Sequence, residues 1–283
     1  MTFRRLSTAG FLLLVVIGVL VISITTLLHA AEPQTPPWKE VRDAINRGLP
    51  KTAIEKLDPI IVAAQNGKRY DEAVRAISMK IALEGGIQGN KPEEKITRMR
   101  AEIAKAPAEM KSVMNAVLAN WFWHYFQQNR WRFMQRTQTS APPSDDFTTW
   151  DLPRILAEID KQFQVTLADA QTLQDIPVAD FDALLDKHNA PDAYRPTMYD
   201  VLVYNALQFY TTAEQAGAKS QGAFDLSAEG PIFSSTADFI AWKPEATDSD
   251  SPKLRAIGLY QDCLLYTSPS PRDQRGSRMP SSA

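Results

Sequence analysis

From Trp38 to the neighbourhood of Arg136 the apolar positions recur at helical spacing, and Gly and Pro mark where each run stops. Trp38, Val41, Ala44 and Ile45 share one face of a first predicted helix that stops at Gly48. In LPKTAIEKLDPIIVAAQNG, the residues Leu49, Ala53, Ile54, Leu57, Ile60 and Ile61 make the face of a second. KRYDEAVRAISMKIALEGG repeats the pattern with Tyr70, Ala73, Val74, Ile77, Met79, Ile81 and Ala82, and Gly85 and Gly86 close it. Gly-Leu-Pro before one helix and Gly-Lys-Arg-Tyr before the next read as the turns of a helical-hairpin repeat, similar in architecture to degenerate tetratricopeptide units. Hairpins of that kind bury one face and leave a concave surface for a partner.

A shorter helix spans about Glu93 to Lys105 and is stopped by Pro107; a long one then runs from about Ala108 to Arg136. It contains NWFWHYFQQNRWRFMQRT, Asn120 to Thr137. At about 100° per residue, Trp121, Phe122 and Tyr125 cluster, while Trp123, Phe126, Trp131, Phe133 and Met134 point elsewhere. Apolar groups therefore go nearly all the way round, and a helix of that kind is normally enclosed by others. The stretch is predicted to be a buried central pillar. Arg130 and Arg132 would then need carboxylates or aromatic faces, because an unpaired buried guanidinium is costly.

The break TSAPPSDDFTTWD predicts a subdomain boundary at 138/139. After it, Asp151 is placed to cap a helix whose first turn tolerates Pro153, with Ile155, Leu156, Ile159, Phe163, Leu167 and Ala170 in period through Leu173. A short helix in VADFDALLDKH and a longer one in PTMYDVLVYNALQFYTTAEQ follow. From Gly217 the chain is rich in Gly, Ser and Pro, holding FDLSAEGPIF and ADFIAW before a last helix at SPKLRAIGLYQD. No segment sustains strand alternation with hairpin turns. The expected class is all-α: antiparallel helical hairpins, TPR-like or α-solenoid-like, packed around a long aromatic-rich helix, in subdomains 32–138 and 139–262.

The two ends are set apart from this fold. Arg4 and Arg5 precede an uncharged run from Leu6 to Leu28, and Ala30 and Ala31 lead into EPQTPP. Residues 1–31 thus have the layout of a secretory signal peptide, or of an uncleaved N-terminal transmembrane anchor given the length of the apolar core. Either predicts a periplasmic, cell-surface or secreted protein that meets a membrane only through this segment. At the other end, Cys263 to Asp273 resembles one translated frame of a transposase sequencing adapter, and Ser277 to Ala283 resembles its outer end. Residues 263–283 are therefore read as a disordered tail of technical origin, with the natural sequence truncated near Asp262.

Between the ends, setting aside Arg4, Arg5, the three tail arginines and Asp273, 26 basic and 32 acidic side chains remain, a net charge of about −6. Basic residues cluster only at Arg130, Arg132 and Arg136, which argues against a nucleic-acid partner. Without Cys263 the segment has no thiol, so neither disulfides nor thiolate metal sites are expected. His124 and His188 are far apart and lack paired-ligand spacing, and no Gly-x-Ser-x-Gly elbow is present. Paired carboxylates at Glu93-Glu94, Asp145-Asp146 and Asp180/Asp182 fall in loops or exposed turns, where capping and solvation explain them. The sequence therefore predicts a non-enzymatic protein without cofactor or metal.

WFWHYFQQNRWRFMQRT, then FTTWDLPRIL, then YRPTMYDVLVYNALQFY, in that order and spacing, resemble the N-terminal helical region of large exported bacterial α2-macroglobulin-like proteins. ADFIAW and SPKLRAIGLYQD fit the same region, so the likeness covers about Trp38 to Asp262, with Gln-Gln-Asn-Arg-Trp-Arg its most specific part. The resemblance implies that the full-length protein traps endopeptidases, through bait and β-sandwich domains downstream of this segment. The partners it implies are those macroglobulin domains of the same chain and, through the whole protein, proteases. No inhibitory residue carries over; Gln127, Gln128, Asn129, Arg130 and Arg132 are the residues expected to line a groove or interaction surface against the following helix. The alternative reading is a stand-alone exported helical-repeat adaptor, whose aromatic cluster would face solvent in part.

Overall fold

The computed structural model describes residues 36–89, 91–136, 144–186, 191–212, 230–243 and 251–267. Among them the regular structure is helical, with one isolated antiparallel bridge between Pro177 and Thr197. The all-α class read from the sequence is what the chain adopts. Two compact units divide at Leu57/Asp58.

In the first unit, α1 (Pro36–Asn46) buries Trp38, Val41 and Ala44, three of the four residues its spacing selects. Gly48, at φ +70°, supplies the left-handed turn that leads to α2 (Pro50–Asn66). Leu49 belongs to that turn, its N–H bonded to Ala44 O at 2.9 Å, and it is exposed instead of joining the buried face of α2.

The second unit is organised on one helix. It contains α3 (Tyr70–Ile87), α4 (Pro92–Lys105) and α5 (Ala108–Met134), then α6 (Leu152–Leu167), α7 (Ala170–Gln174) and α8 (Met198–Tyr210), and finally α9 (Thr236–Ala241) and α10 (Pro252–Thr267). α3, α4, α6, α7 and α8 all pack on α5. This packing does not confirm a repeating hairpin unit; its common element is α5. The expected division at 138/139 falls inside this unit, where α5 and α6, on either side of it, pack along each other.

Every residue from Ala116 to Phe126 is buried, which for a helix means enclosure on all sides. Rings interlock there: Trp123 meets Phe126 at 5.8 Å and Phe209 of α8 edge-on at 5.5 Å, and Phe163 of α6 reaches Phe209 at 5.6 Å. The pillar is shorter than predicted. Beyond Phe126 only Phe133 stays buried, while Trp131 is 74% exposed and Met134 44%. The polar run Gln127-Gln128-Asn129-Arg130 brings the helix out into water, so the last rings face solvent.

Other boundaries move for local reasons. Gly85 and Gly86 do not close α3; Gly85 is a packing position, since a Cβ there would lie 3.1 Å from Lys95 Cγ of α4, and the left-handed turn comes at Gly89, φ +97°. The helix predicted through Leu173 breaks after Leu167, and Thr172 Oγ1 bonds the Asp169 carboxylate at 2.8 Å as α7 restarts. VADFDALLDKH forms a 3₁₀ turn, Val178–Phe181, instead of an α-helix, with Leu184 N–H returning to Phe181 O at 2.8 Å. Asp151 caps α6 as its position predicts, accepting from Arg154 N–H at 3.2 Å. Residues 263–267, assigned from sequence to the disordered tail, continue α10, because no helix breaker occurs before Pro269; 268–283 lie outside the described residues.

The enclosed and emergent parts of α5 separate experimentally. Trp123→Ala is expected to destabilise the fold by about 3–5 kcal/mol, and Trp131→Ala by less than about 0.5 kcal/mol, in urea denaturation. Equal losses at the two positions would show that the exposed end is packed as tightly as the pillar.

Candidate functional site

The five residues singled out from sequence lie on the emergent end of α5. Gln127, Gln128, Arg130 and Arg132 are exposed and Asn129 half-buried. Asn129 Nδ2 donates to Tyr125 O at 2.9 Å within its own helix, and Arg132 Nη2 donates to Thr148 O at 3.2 Å. The expected burial of Arg130 and Arg132 fails with the exposure of this helix end. The surface they do form carries Trp131 and Met134 beside them.

A cleft of about 390 Å³ lies elsewhere, between the first turns of α4 and the 3₁₀ turn Phe147–Thr149. On one wall, Glu93 and Glu94 occupy the first turn of α4, just after Pro92. Carboxylates there complement the amide dipoles of the helix start. Thr97 and Arg98 continue this wall one turn on. Arg98 is already engaged: Nη1 donates to Glu84, Nη2 to Gln88 Oε1 at 2.8 Å, and Nη2 sits 4.0 Å from Glu94.

The opposite wall is a turn held at many points. Asp146 Oδ1 accepts from Thr148 N–H at 2.9 Å, capping the 3₁₀ turn. Hydrogen bonds from Thr148, the side chain first and the backbone second, hold the Asp146 carboxyl below the ordinary carboxylate range. Trp150 Nε1 donates to Ser144 O at 2.7 Å, and Arg136 Nη1 to Trp150 O at 2.7 Å. Arg154 lies 4.4 Å over the Trp150 ring.

Phe147 forms the floor. Its ring meets Phe122 at 5.0 Å and Tyr125 edge-on at 5.2 Å, and Arg100 lies 5.8 Å from its centroid. Arg100 Nη2 is itself bonded to Glu158 Oε1 at 2.6 Å, which compensates a half-sequestered cation. Tyr125 is 2% exposed and its hydroxyl has no hydrogen-bond partner. Burial pushes this phenol above the ordinary tyrosine value, and the charges it senses are those of Arg132, Glu93, Arg136 and Asp146.

Sequence reading placed Asp145-Asp146 correctly as exposed and capping, while Glu93 and Glu94 are half-buried at the start of α4, and it gave no sign that Glu93, Glu94 and Asp146 face one space. Some fifty residues separate them, and only the course of the chain after α5 brings them together. His124 has a separate role. Its Nδ1 lies 3.3 Å from Asp186 Oδ2, beside Asn120, which exchanges 3.2 Å bonds with the Asp186 backbone, and Trp121, whose Nε1 donates to Leu184 O at 2.8 Å. These bonds fasten 184–186 to α5. His188 and the segment 1–31 lie outside the described residues. Among the described residues no cluster of His, Cys, Asp or Glu is arranged to hold a metal, and no helix is long and apolar enough to cross a membrane. No protein-family model, curated protein or solved structure matches the chain.

Asp146→Ala should cost about 0.5–1 kcal/mol at neutral pH through loss of the cap. A carboxyl whose folded pKa is lowered contributes fully above its unfolded value, and the contribution fades as pH falls through the folded value. Urea titrations should therefore show the difference between wild type and variant shrinking as pH falls through the acid range, whereas a difference unchanged in acid would exclude the ionised cap.

Proposed function

We propose that this chain is a non-catalytic helical module of an exported bacterial α2-macroglobulin-like protein, and that it contributes a protein-contacting surface to a whole molecule that traps endopeptidases. What supports the reading is how the conspicuous residues are used. Trp121, Phe122, Trp123 and Phe126 are enclosed, His124 and Asn120 hold a neighbouring segment, and the stretch most specific to the resemblance, Gln127 to Arg132, emerges at the surface. Such a division suits a rigid adaptor that presents one helix end to other domains. In this role the partners are the downstream domains of the same polypeptide, with proteases engaged by the assembled molecule in the periplasm or at the cell surface.

One observation favours the second reading, a stand-alone exported adaptor. Trp131 is 74% exposed beside Met134, and large exposed apolar groups of this kind often mark contact surfaces. The two readings part at the gene. Sequencing uninterrupted genomic DNA through the codon for Asp262 is expected to reveal an open reading frame continuing into tandem β-sandwich domains. A stop codon shortly after that point would discard the macroglobulin-like reading and leave the adaptor.

A further inference from the structure

Arg195, just before α8, is a half-buried cation without a counterion. Its guanidinium carbon lies 3.5 Å from the centroid of the Tyr204 ring, and among the described residues no acceptor bonds it and no carboxylate pairs with it. Elsewhere half-buried arginines find acceptors: Arg98 donates to Glu84, Arg100 to Glu158 and Arg136 to the Trp150 carbonyl. Arg154, stacked on Trp150, has no nitrogen that is both buried and unpartnered. In Arg195, Nη1 is closed to water, whereas Nε and Nη2, equally unpartnered, stay open to it. Stacking on a neutral ring replaces only part of the hydration lost at Nη1, so an anion at the open edge would be well compensated.

The surroundings hold that edge in place. Pro196 O accepts from Val178 N–H and Ile176 O from Met198 N–H, both at 2.9 Å, which pins the backbone next to Arg195. Asp200 cannot serve as the counterion, because its Oδ2 accepts from Thr197 N–H at 3.0 Å and Thr197 Oγ1 at 2.7 Å in the cap of α8. Gln208 Nε2 donates to the Tyr204 hydroxyl at 3.1 Å and steadies the ring on which the guanidinium lies. A planar guanidinium fixed in this way offers Nε and Nη2 as a fork for the two oxygens of a carboxylate.

The neighbours along the chain indicate who brings the carboxylate. Ala193, Tyr194 and Pro196 are exposed, Tyr194 at 80%. Small ligands are held by enclosure, which an open surface does not give, while a polypeptide brings a surface of its own and tyrosine is enriched where polypeptides meet.

We propose that Arg195 receives the carboxylate of an aspartate or glutamate side chain of a partner polypeptide, its two oxygens meeting Nε and Nη2, with Tyr194 packing against the same partner. The contact uses no residue of the emergent end of α5 and holds with or without the macroglobulin-like reading.

The probe is acetyl-Leu-Glu-Leu-amide, titrated into the full chain at low salt while the Arg195 Nε–H resonance is followed by NMR, with acetyl-Leu-Gln-Leu-amide and inorganic phosphate as comparisons. The glutamate peptide is expected to shift that resonance saturably, the glutamine peptide not at all, and phosphate to bind more weakly. Calorimetric affinity for the glutamate peptide should fall about tenfold or more in Arg195→Lys, which keeps the charge and gives up the fork, and should be unchanged in Lys111→Gln, an exposed cation on α5. Arg195→Gln should abolish binding, and both Arg195 variants should keep the wild-type thermal midpoint. Three results would overturn the assignment. One is no saturable shift up to about 10 mM peptide. Another is full affinity in Arg195→Lys, which would be charge attraction without a built fork. The third is phosphate binding as tightly as the glutamate peptide, which would make the site one for free oxyanions.

Discussion

The exclusion of water from all sides of α5 between Ala116 and Phe126 is the constraint on which the larger unit depends. A helix with rings on every face cannot sit at a surface. Neighbours must close round it, and α3, α4, α6 and α8 do so, with Phe163 and Phe209 extending the ring contacts outward. Enclosure also governs the polar atoms along the same stretch. Asn120 and Trp121 cannot rely on water, so they bond backbone groups of 184–186 and thereby fix a segment that lacks regular structure of its own.

Charge is arranged round this dry interior in pairs and stacks. Arg100 covers Phe122 while bonded to Glu158, and Arg154 lies on Trp150. Asp160 joins three helices, accepting from Tyr210 Oη at 2.8 Å and lying 3.7 Å from Arg255 Nε of α10. Burial, the Asp160 charge and that bond together push the Tyr210 phenol far above its ordinary value, so it serves as a donor. These contacts keep polar groups partnered where the core meets the surface. Tyr125, Trp123 and Ser112 depart from this habit, each with a buried polar side-chain atom that has no hydrogen-bond partner.

Both ends of α5 thus belong to one design. Its first two thirds hold the bundle together, and its last turns leave the bundle with Arg132 and Arg136 reaching back to the Thr148 and Trp150 carbonyls. Those two bonds steady the turn that forms the cleft wall. The aromatic helix therefore shapes the candidate site without lining it, and the residues most eye-catching in the sequence act mainly as scaffold.

By itself the sequence determined the helical class, the turn at Gly48, the Asp151 cap and the enclosure of the rings up to Phe126, because each follows from local periodicity or from a single residue's conformational chemistry. It overreached at Trp131 and Met134. Periodicity states that a face is apolar, but whether a neighbour reaches far enough to cover it is a matter of relative helix length and offset. The same limit explains Gly85, which reads as a stop signal and functions as room for Lys95. Only the tertiary structure could place Glu93 and Asp146 across one cleft. Residues far apart in the chain become neighbours through the return path of the backbone, and no local pattern records that path.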